Sequence, residues 1–359
     1  MIKTNIRLGS VKRNCEIIVG KKILNAYLKK LNKKKQKKFI IIDNKVFNNF
    51  KISIKDKKTT VIKINGSENI KSINMYWKLT STLLKKNIDR SSIVIAIGGG
   101  TIGDLTGFVA STVLRGVNFV LIPTTLLAQV DSSIGGKNGI NSEHGKNLVG
   151  TFFQPNQVLV DIDFLKTLSK KQLKSGYAEI LKHAIINDKI FYNWLKKNYI
   201  KLFNLNEDVL IKAIVKSIKI KLKYVLSDEK ENLTNINSRA ILNFGHTFGH
   251  AIESINKYKA SISHGEAVAI GMVIATKLSY KLNKIGKKEM LDIVKHIKNA
   301  KLPIYSNLIK KNNFYKKIIN DKKNRNNQVN LILLKNIGSA YFSKNHKLSE
   351  IKKMILNIN

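Results

Sequence analysis

The chain has 359 residues, 65 of them Lys or Arg and 23 Asp or Glu, for a net charge of +42. Hydrophobic residues make up 43% and mean hydropathy is −0.14, enough apolar side chain for a core, which excludes wholesale disorder and, at roughly 100–200 residues per domain, suggests two domains. Val117 to Val130, interrupted by Pro123, is free of charge, no uncharged stretch exceeds 15 residues, and a spanning helix takes about 20 apolar residues, so an integral membrane protein is excluded.

The first half alternates short apolar runs with helical patterns. Phe39 to Asp43, Thr60 to Ile64, Ser92 to Ile97 and Asn118 to Ile122 are β-branched runs that fit strands buried on both faces. Ile70 to Leu84 has helical spacing. Strand–helix–strand alternation predicts a doubly wound, mostly parallel, Rossmann-like α/β domain. A last strand, Val158 to Asp161, precedes a change of character. Leu173 to Ile186, Val209 to Leu226, Gly245 to Ile255, Gly265 to Leu282 and Lys288 to Ala300 read as helices, with a short strand over Gln328 to Leu334. The expected division is an α/β domain over 1–165 and an α-helical domain over 166–359. Asn232 to Ser238 reads as an exposed, insertion-like loop.

A surplus of +42 raises the question of nucleic acid. Only six of the basic residues are Arg, the side chain best suited to phosphate forks and base edges. From Ser91 to Leu165 the chain is net −2. The densest run, Lys29 to Lys38, has seven lysines and reads as a helix end plus turn. The surplus is therefore expected to be solvated surface, with no specific nucleic acid as partner. The opening residues Met1 to Asn5 carry no apolar region, so no secretory signal is expected. Cys15 is the one cysteine, which excludes an internal disulfide or a Cys-based zinc cluster. A cytoplasmic location is expected.

Three groups of residues can carry chemistry. Gly98-Gly99-Gly100-Thr101-Ile102-Gly103-Asp104 follows a predicted strand and opens a predicted helix. Glycines there let backbone N–H groups approach a pyrophosphate, although the run is not a GxGxxG fingerprint and also fits a tight turn. Asp43, ending an earlier strand, could take a ribose hydroxyl or cap a helix. Pro123 to Lys137 is dense in hydroxyls and ends in Gly-Gly-Lys, and Gly145-Lys146-Asn147 follows. Small residues plus lysine suit an anion. The third group is the histidines. Six of seven lie in the helical half: His183, His246, His250, His264, His296 and His346. Glu179 and Lys182 stand at i and i+3. One carboxylate and several imidazoles without thiolates describe an open Zn²⁺-type site. Spacing alone names His246 and His250, at i and i+4, as a ligand pair.

These residues resemble the 3-dehydroquinate synthases, a family of sugar phosphate cyclases in the shikimate pathway. The resemblance runs from Asp43 to about Gly338 on GGGTIGDLTGFVAS (98–111), RGVNFVLIPTTLLAQVDSSIGGK (115–137), GKNLVGTFFQP (145–155), DIDFLKTL (161–168), SGYAEILKHAII (175–186), NFGHTFGHAIE (243–253) and HGEAVAIGM (264–272). It implies an N-terminal NAD-binding domain, a C-terminal helical domain and an active site in the cleft between them. It implies that Glu179, His246 and His264 hold one divalent metal per subunit, Zn²⁺ or Co²⁺, with His250 facing substrate. The implied NAD set is Asp43, Glu68, Lys71, Gly99, Gly100, Asp104, Thr124, Thr125, Thr167 and Leu168, with Lys137 and Lys146 beside them. The implied substrate set is Arg115, Asp131, Lys137, Asn147, Lys182, Lys221, Arg239, Asn243, His250 and one of Lys322 or Lys323. The implied substrate is the sugar phosphate 3-deoxy-D-arabino-heptulosonate 7-phosphate, and the implied assembly a homodimer in which Arg115 can reach a neighbour's site. The chain departs from the family pattern at Asn138, where Thr is usual, at Thr101, where Val is usual, and between Glu231 and Arg239, which is longer and lacks a usual Gly. No matched ligand position is lost, so an active enzyme is expected.

Overall fold

The computed structural model describes residues 2–7, 14–52, 54, 56–235, 237–256, 261–319 and 328–357. They form two units: residues 1–169 with 210–215, and 170–209 with 216–359.

In the first unit the β-branched runs become strands of one seven-stranded sheet. In chain order the elements are β1 (Ile2–Arg7), β2 (Asn14–Gly20), α1 (Ile23–Asn32), β3 (Lys38–Asp43), α2 (Asn44–Asn49), β4 (Thr59–Ile64), α3 (Ile73–Lys85), β5 (Ile93–Gly98), α4 (Gly100–Thr112), β6 (Asn118–Pro123), β7 (Lys137–Ser142), β8 (Gly145–Phe152) and β9 (Gln157–Asp161). The sheet order is β1-β2-β9-β6-β5-β3-β4. Every pairing is parallel except β1 with β2. Ile40 and Ile42 of β3 pack with Ile95 and Ile97 of β5 and with Leu24, Leu28 and Leu31 of α1. All six residues of β5 are buried, as both-face coverage requires. Between β3 and β5 the strand order reverses: β4 leaves on one flank of β3, and β5 and β6 build out from the other. Open α/β sheets bind ligands at such a switch point, outside the carboxyl ends of the strands.

β7 and β8 form a separate antiparallel hairpin that the sequence reading did not anticipate. Apart from Ile140, Leu148, Val149 and Phe152 its residues are polar or Gly, without the alternation that betrays a strand. Asn138 holds it: the side-chain amide donates to the Gly136 and Phe153 carbonyls, both at 2.9 Å. Its oxygen lies where a Cβ on Gly107 of α4 would stand, so Gly107 makes room for the Asn.

The second unit contains α5 (Lys170–Asn187), α6 (Lys189–Phe203), α7 (Glu207–Ser227), α8 (His246–Ile255), α9 (His264–Lys281), α10 (Lys287–Asn299), α11 (Asn312–Ile319), the antiparallel pair β10 (Gln328–Asn336) and β11 (Ser339–Lys347), and α12 (Leu348–Leu356). Residues 210–215 of α7 group with the first unit. The helix α6, absent from the sequence reading, starts where Asp188 accepts the Phe191 N–H at 2.8 Å. It buries Phe191, Tyr192, Leu195 and Leu202. Most of α5 from Leu173 on and of α9 is buried, as expected of helices apolar on all sides. The helix α9 crosses α8 backbone to backbone: a Cβ on Gly271 would run into the Gly245 carbonyl. Among the described residues, no helix is long and apolar enough to cross a membrane.

Candidate active site

The residues expected to hold the nucleotide gather at the carboxyl ends of the parallel strands. Asp43 ends β3, and its Oδ1 accepts the Lys45 N–H at 2.8 Å, capping α2. Its other oxygen occupies the space a side chain on Gly66 would need. Gly99 follows β5 and caps α4 without a side chain, leaving the first N–H groups of α4 unobstructed by any Cβ of its own. Anions are favoured at such a helix start. Thr124 and Thr125 follow β6; the Thr124 N–H donates to the Gly98 carbonyl at 2.9 Å. A pocket there is lined by Gly98, Gly99, Gly100, Asp104, Ser132 and Asn138 among others. A Cβ on Gly100 would come 2.9 Å from Ser132 Oγ. Thr167 and Leu168 end the single-turn segment after β9, with Thr167 Oγ1 donating to the Phe164 carbonyl at 3.1 Å.

Lys71 is buried in this group. Its ammonium meets Asp104 Oδ2 at 2.6 Å and also donates to Asn147 Oδ1. Asn141 ties the neighbours together: its amide donates to Glu68 Oε1 at 2.8 Å, its oxygen accepts the Asn147 N–H at 3.1 Å, and its own N–H donates to the Lys71 carbonyl at 2.8 Å. Lys146 Nζ lies 3.7 Å from Glu68. Asn141 was missed by the sequence reading; it sits in a polar strand of the unanticipated hairpin. Asn147, expected in the substrate set, stands among the nucleotide residues. Lys137 opens β7 after Gly135 and Gly136, whose φ values of 102° and 62° suit Gly. Asp131 lies in the π-turn Ala128–Ser132 after β6.

Arg115 is placed differently. It precedes β6, at the amino end of that strand, and is exposed, whereas the nucleotide residues lie past the carboxyl ends. Leu114 and Arg115 both have left-handed φ, 50° and 64°, a strained pair for side chains with a Cβ.

In the second unit, Glu179 of α5, His246 of α8 and His264 of α9 offer ligand atoms within 4.8 Å of one another. Glu179 Oε1 is 3.5 Å from Nε2 of each imidazole. Glu179 is fully buried, and neither carboxylate oxygen has a hydrogen-bond partner; Lys182, one turn on, is its ion-pair partner. The imidazoles are oriented from behind. His246 Nδ1 is 3.2 Å from the Phe244 carbonyl, which can only accept, so that nitrogen carries the proton and Nε2 keeps its lone pair. His264 Nδ1 is 3.3 Å from Glu253 Oε2. A carbonyl or carboxylate behind a histidine is the usual support of a metal ligand. The local folding follows from the sequence: Ser263 and Glu266 form a capping box that starts α9 at His264.

The electrostatics agree with this arrangement. Burial pushes the Glu179 carboxyl up, but the Lys182 ammonium and the two imidazoles outweigh it and hold the group well below the usual carboxylate range. Burial and the Lys182 charge hold His246 well below its ordinary value, so it is neutral. Burial also pulls His264 down, but the Glu179 and Glu253 carboxylates beside it prevail and raise it to about 10. Two carboxylates around one imidazole therefore call for a cation at this place, whether a proton or a metal ion. Three N/O ligands without thiolate fit a divalent ion with open positions.

His250, which spacing paired with His246, is outside the ligand group. It is exposed one turn along α8, its ring centroid 5.2 Å from that of His246 and 6.4 Å from that of His264. A ligand from the start of the next helix lies nearer to Glu179 than one from the same helix face, a fact that i, i+4 spacing does not contain. The other expected substrate residues of this unit are buried: Lys182, Lys221 on α7, and Arg239, whose Nη1 donates to the Glu229 carbonyl at 2.7 Å. Asn243 donates to Glu231 Oε1 at 2.7 Å. Lys322 and Lys323 lie outside the described residues.

Comparison with known proteins places these residues in a family. Residues 61–175 match the 3-dehydroquinate synthase N-terminal family model and 176–324 the C-terminal one. The chain is 42% identical to the 3-dehydroquinate synthase of Pelagibacter ubique over 354 residues, 95% of this chain and 94% of that protein. Its fold is that of 2-epi-5-epi-valiolone synthase from Streptomyces hygroscopicus, solved with NAD⁺ and Zn²⁺ (TM-score 0.86, 23% identity, 98% of each chain). It is also that of 2-deoxy-scyllo-inosose synthase solved with carbaglucose-6-phosphate, NAD⁺ and Co²⁺ (TM-score 0.80, 22% identity, 99% of each chain). The fold is shared across sugar phosphate cyclases, and the sequence selects among them: the chain belongs to the 3-dehydroquinate synthase family.

Proposed function

We infer that the protein converts 3-deoxy-D-arabino-heptulosonate 7-phosphate to 3-dehydroquinate and phosphate, as a carbon–oxygen lyase with catalytic NAD and one Zn²⁺ or Co²⁺ per chain. The reaction runs by transient oxidation of a substrate alcohol to a ketone, removal of a proton from the neighbouring carbon that the ketone acidifies with expulsion of phosphate from the carbon beyond it, re-reduction, and ring opening followed by aldol closure. The observation that carries this reading is the company the ion ligands keep. Three buried cations, Lys182, Lys221 and Arg239, lie in the unit that holds Glu179, His246 and His264. Cationic side chains gathered near the ion ligands suit a substrate that carries a carboxylate and a phosphate better than a neutral polyol.

Bound NAD would supply a hydride acceptor and then a donor, and the bound ion would polarise the alcohol. The chain's own residues do the rest. Lys71 and Asn141 fix the position of Asp104, Glu68 and Asn147 around the nucleotide. Phe244 and Glu253 keep protons on the Nδ1 atoms, so the Nε2 atoms face the ion. Lys182 neutralises Glu179 while presenting charge to the substrate's anionic groups. His250, exposed beside the ligand pair, is placed to exchange a proton with the leaving phosphate. Incubation with the heptulosonate phosphate and, separately, with glucose 6-phosphate tests the substrate. Phosphate release from the first alone is expected; preference for glucose 6-phosphate would assign the chain to a sister cyclase.

We read the assembly as a homodimer. Ile73 and Trp77 of α3 are 60% and 63% exposed, and Leu148, Val149 and Phe152 of β8 are more than 40% exposed. Exposed apolar residues of this size in one unit mark an interaction face. The exposed Arg115, at the amino end of β6 and away from the residues expected to hold the nucleotide, is available to a neighbour's site. Sedimentation should give a dimer, and Trp77→Glu with Phe152→Lys a monomer. A cytoplasmic location suits the single, buried Cys15 thiol, and the basic surplus is read as solvated surface.

A further inference from the structure

We propose that Asp228 is a positioning residue for substrate binding, acting through Arg239. The proposal rests on the reading that Arg239 contacts the substrate. Asp228 ends α7 and is buried. The segment that follows is the one marked as longer than the family pattern and without its usual Gly, so a shorter turn cannot be what places Arg239 here. The Asp228 carboxylate closes the longer loop instead. Its Oδ1 accepts the Asn232 N–H at 2.8 Å. Its Oδ2 accepts the Leu233 N–H at 3.1 Å and, from the far end of the loop, the Arg239 N–H at 3.0 Å. Ser238 joins the two ends a second time, its hydroxyl 2.5 Å from the Leu233 carbonyl and 3.3 Å from Oδ2.

One buried carboxylate thus gathers both ends of a loop whose residues 232–235 are exposed. The guanidinium is then fixed by the residue next to Asp228: Arg239 Nη1 donates to the Glu229 carbonyl. Backbone and side chain of Arg239 are both set by the Asp228–Glu229 pair. Hydrogen bonds to a charged acceptor are about twice as strong as neutral ones. With residues 232–235 exposed, Leu233 among them, the bonds to the Asp228 carboxylate fix the end of the loop and where Arg239 points.

The test uses the full chain loaded with zinc and NAD⁺. Asp228→Ala should raise KM for the heptulosonate phosphate by about 10- to 100-fold, with a smaller fall in kcat. Zinc content and NAD⁺ affinity should stay at wild-type levels, since neither ligand set includes this loop. Asp228→Asn, which keeps one oxygen acceptor, should fall between the two; it carries the test if the Ala variant does not fold. In an Arg239→Ala background, replacing Asp228 should change KM less than about twofold, because the two act as one unit. An unchanged KM in Asp228→Asn and Asp228→Ala, beside a raised KM in Arg239→Ala, overturns the proposal alone. The same fold-loss from Asp228→Ala with and without Arg239 also overturns it, as does a loss confined to zinc or NAD⁺. An Arg239→Ala enzyme with wild-type KM overturns the reading of Arg239 and the proposal together.

Discussion

Gly265 and Ser175 meet where α9 begins against α5. The Gly265 N–H donates to Ser175 Oγ at 3.0 Å, and a Cβ on Gly265 would run into the Ser175 backbone. His264 precedes that glycine and Glu179 lies one turn beyond that serine, so the approach of the two backbones sets the distance between two ion ligands. Gly265→Ala should cost about 1–3 kcal/mol of stability. Zinc retained after dialysis should fall well below one ion per chain, measured by elemental analysis. Ser175→Ala, which removes a hydroxyl and no space, should keep its zinc. Full zinc occupancy in Gly265→Ala would refute the link.

Behind His264, Glu253 fixes the ring. Glu253→Ala should weaken zinc affinity by about 10- to 100-fold without unfolding the chain. A chelator competition titration measures this, and an unchanged affinity would show that Glu253 does not orient the ligand.

Asn141 makes three hydrogen bonds, to Glu68, Lys71 and Asn147. Asn141→Ala should raise the NAD⁺ dissociation constant by about tenfold, the equivalent of one or two hydrogen bonds, while zinc binding stays as it was. Fluorescence titration with NADH gives the number; wild-type affinity would remove Asn141 from the nucleotide site.

His296 supplies an acid-sensitive element away from the ion site. Its Nε2 is 2.7 Å from the buried Tyr177 hydroxyl, with Tyr192 and Tyr199 rings edge-on. Burial pulls its pKa to about 4, with the Lys196 charge assisting and Asp292 opposing. Between pH 6.5 and 4 the unfolded chain binds the extra proton, so stability rises with pH in that window. The contribution is complete above pH 6.5 and is lost as pH falls through 4. From pH 7 to 5 the loss should be about 2 kcal/mol. Denaturant midpoints read by Trp194 in a Trp77→Phe chain should show it, and His296→Gln should flatten the dependence. An equal slope in both chains would contradict the assignment.

What could be read from residues alone follows from the range of the interactions involved. The strands β3, β5 and β6 are continuous β-branched runs buried on both faces, so composition declares them. Glu179, His246 and His264 were named through the resemblance; spacing alone led to His246 and His250, because the crossing of α8 on α9 at Gly245 and Gly271 is a contact between distant segments. Of the two readings of Asp43, the helix cap is the one visible in the coordinates: one oxygen caps α2, and the other faces Gly66. The hairpin β7–β8, held by Asn138 and Gly107, left no periodic signal. The capping box of Ser263 and Glu266 was legible as S-x-x-E before an apolar run and would have fixed His264 at a helix start. The gathering of residues 232–239 on Asp228 needed coordinates, since nothing local requires a carboxylate to bind backbone groups up to eleven residues ahead.

The central claim is that the oxidation is transient and that phosphate leaves. Purified chain with NAD⁺, Zn²⁺ and the heptulosonate phosphate should release phosphate and form 3-dehydroquinate in equal amounts over many turnovers per NAD⁺. Absorbance at 340 nm should show no net NADH. Accumulation of NADH in step with substrate oxidation, without phosphate release, would contradict the account and make the protein a dehydrogenase on this fold.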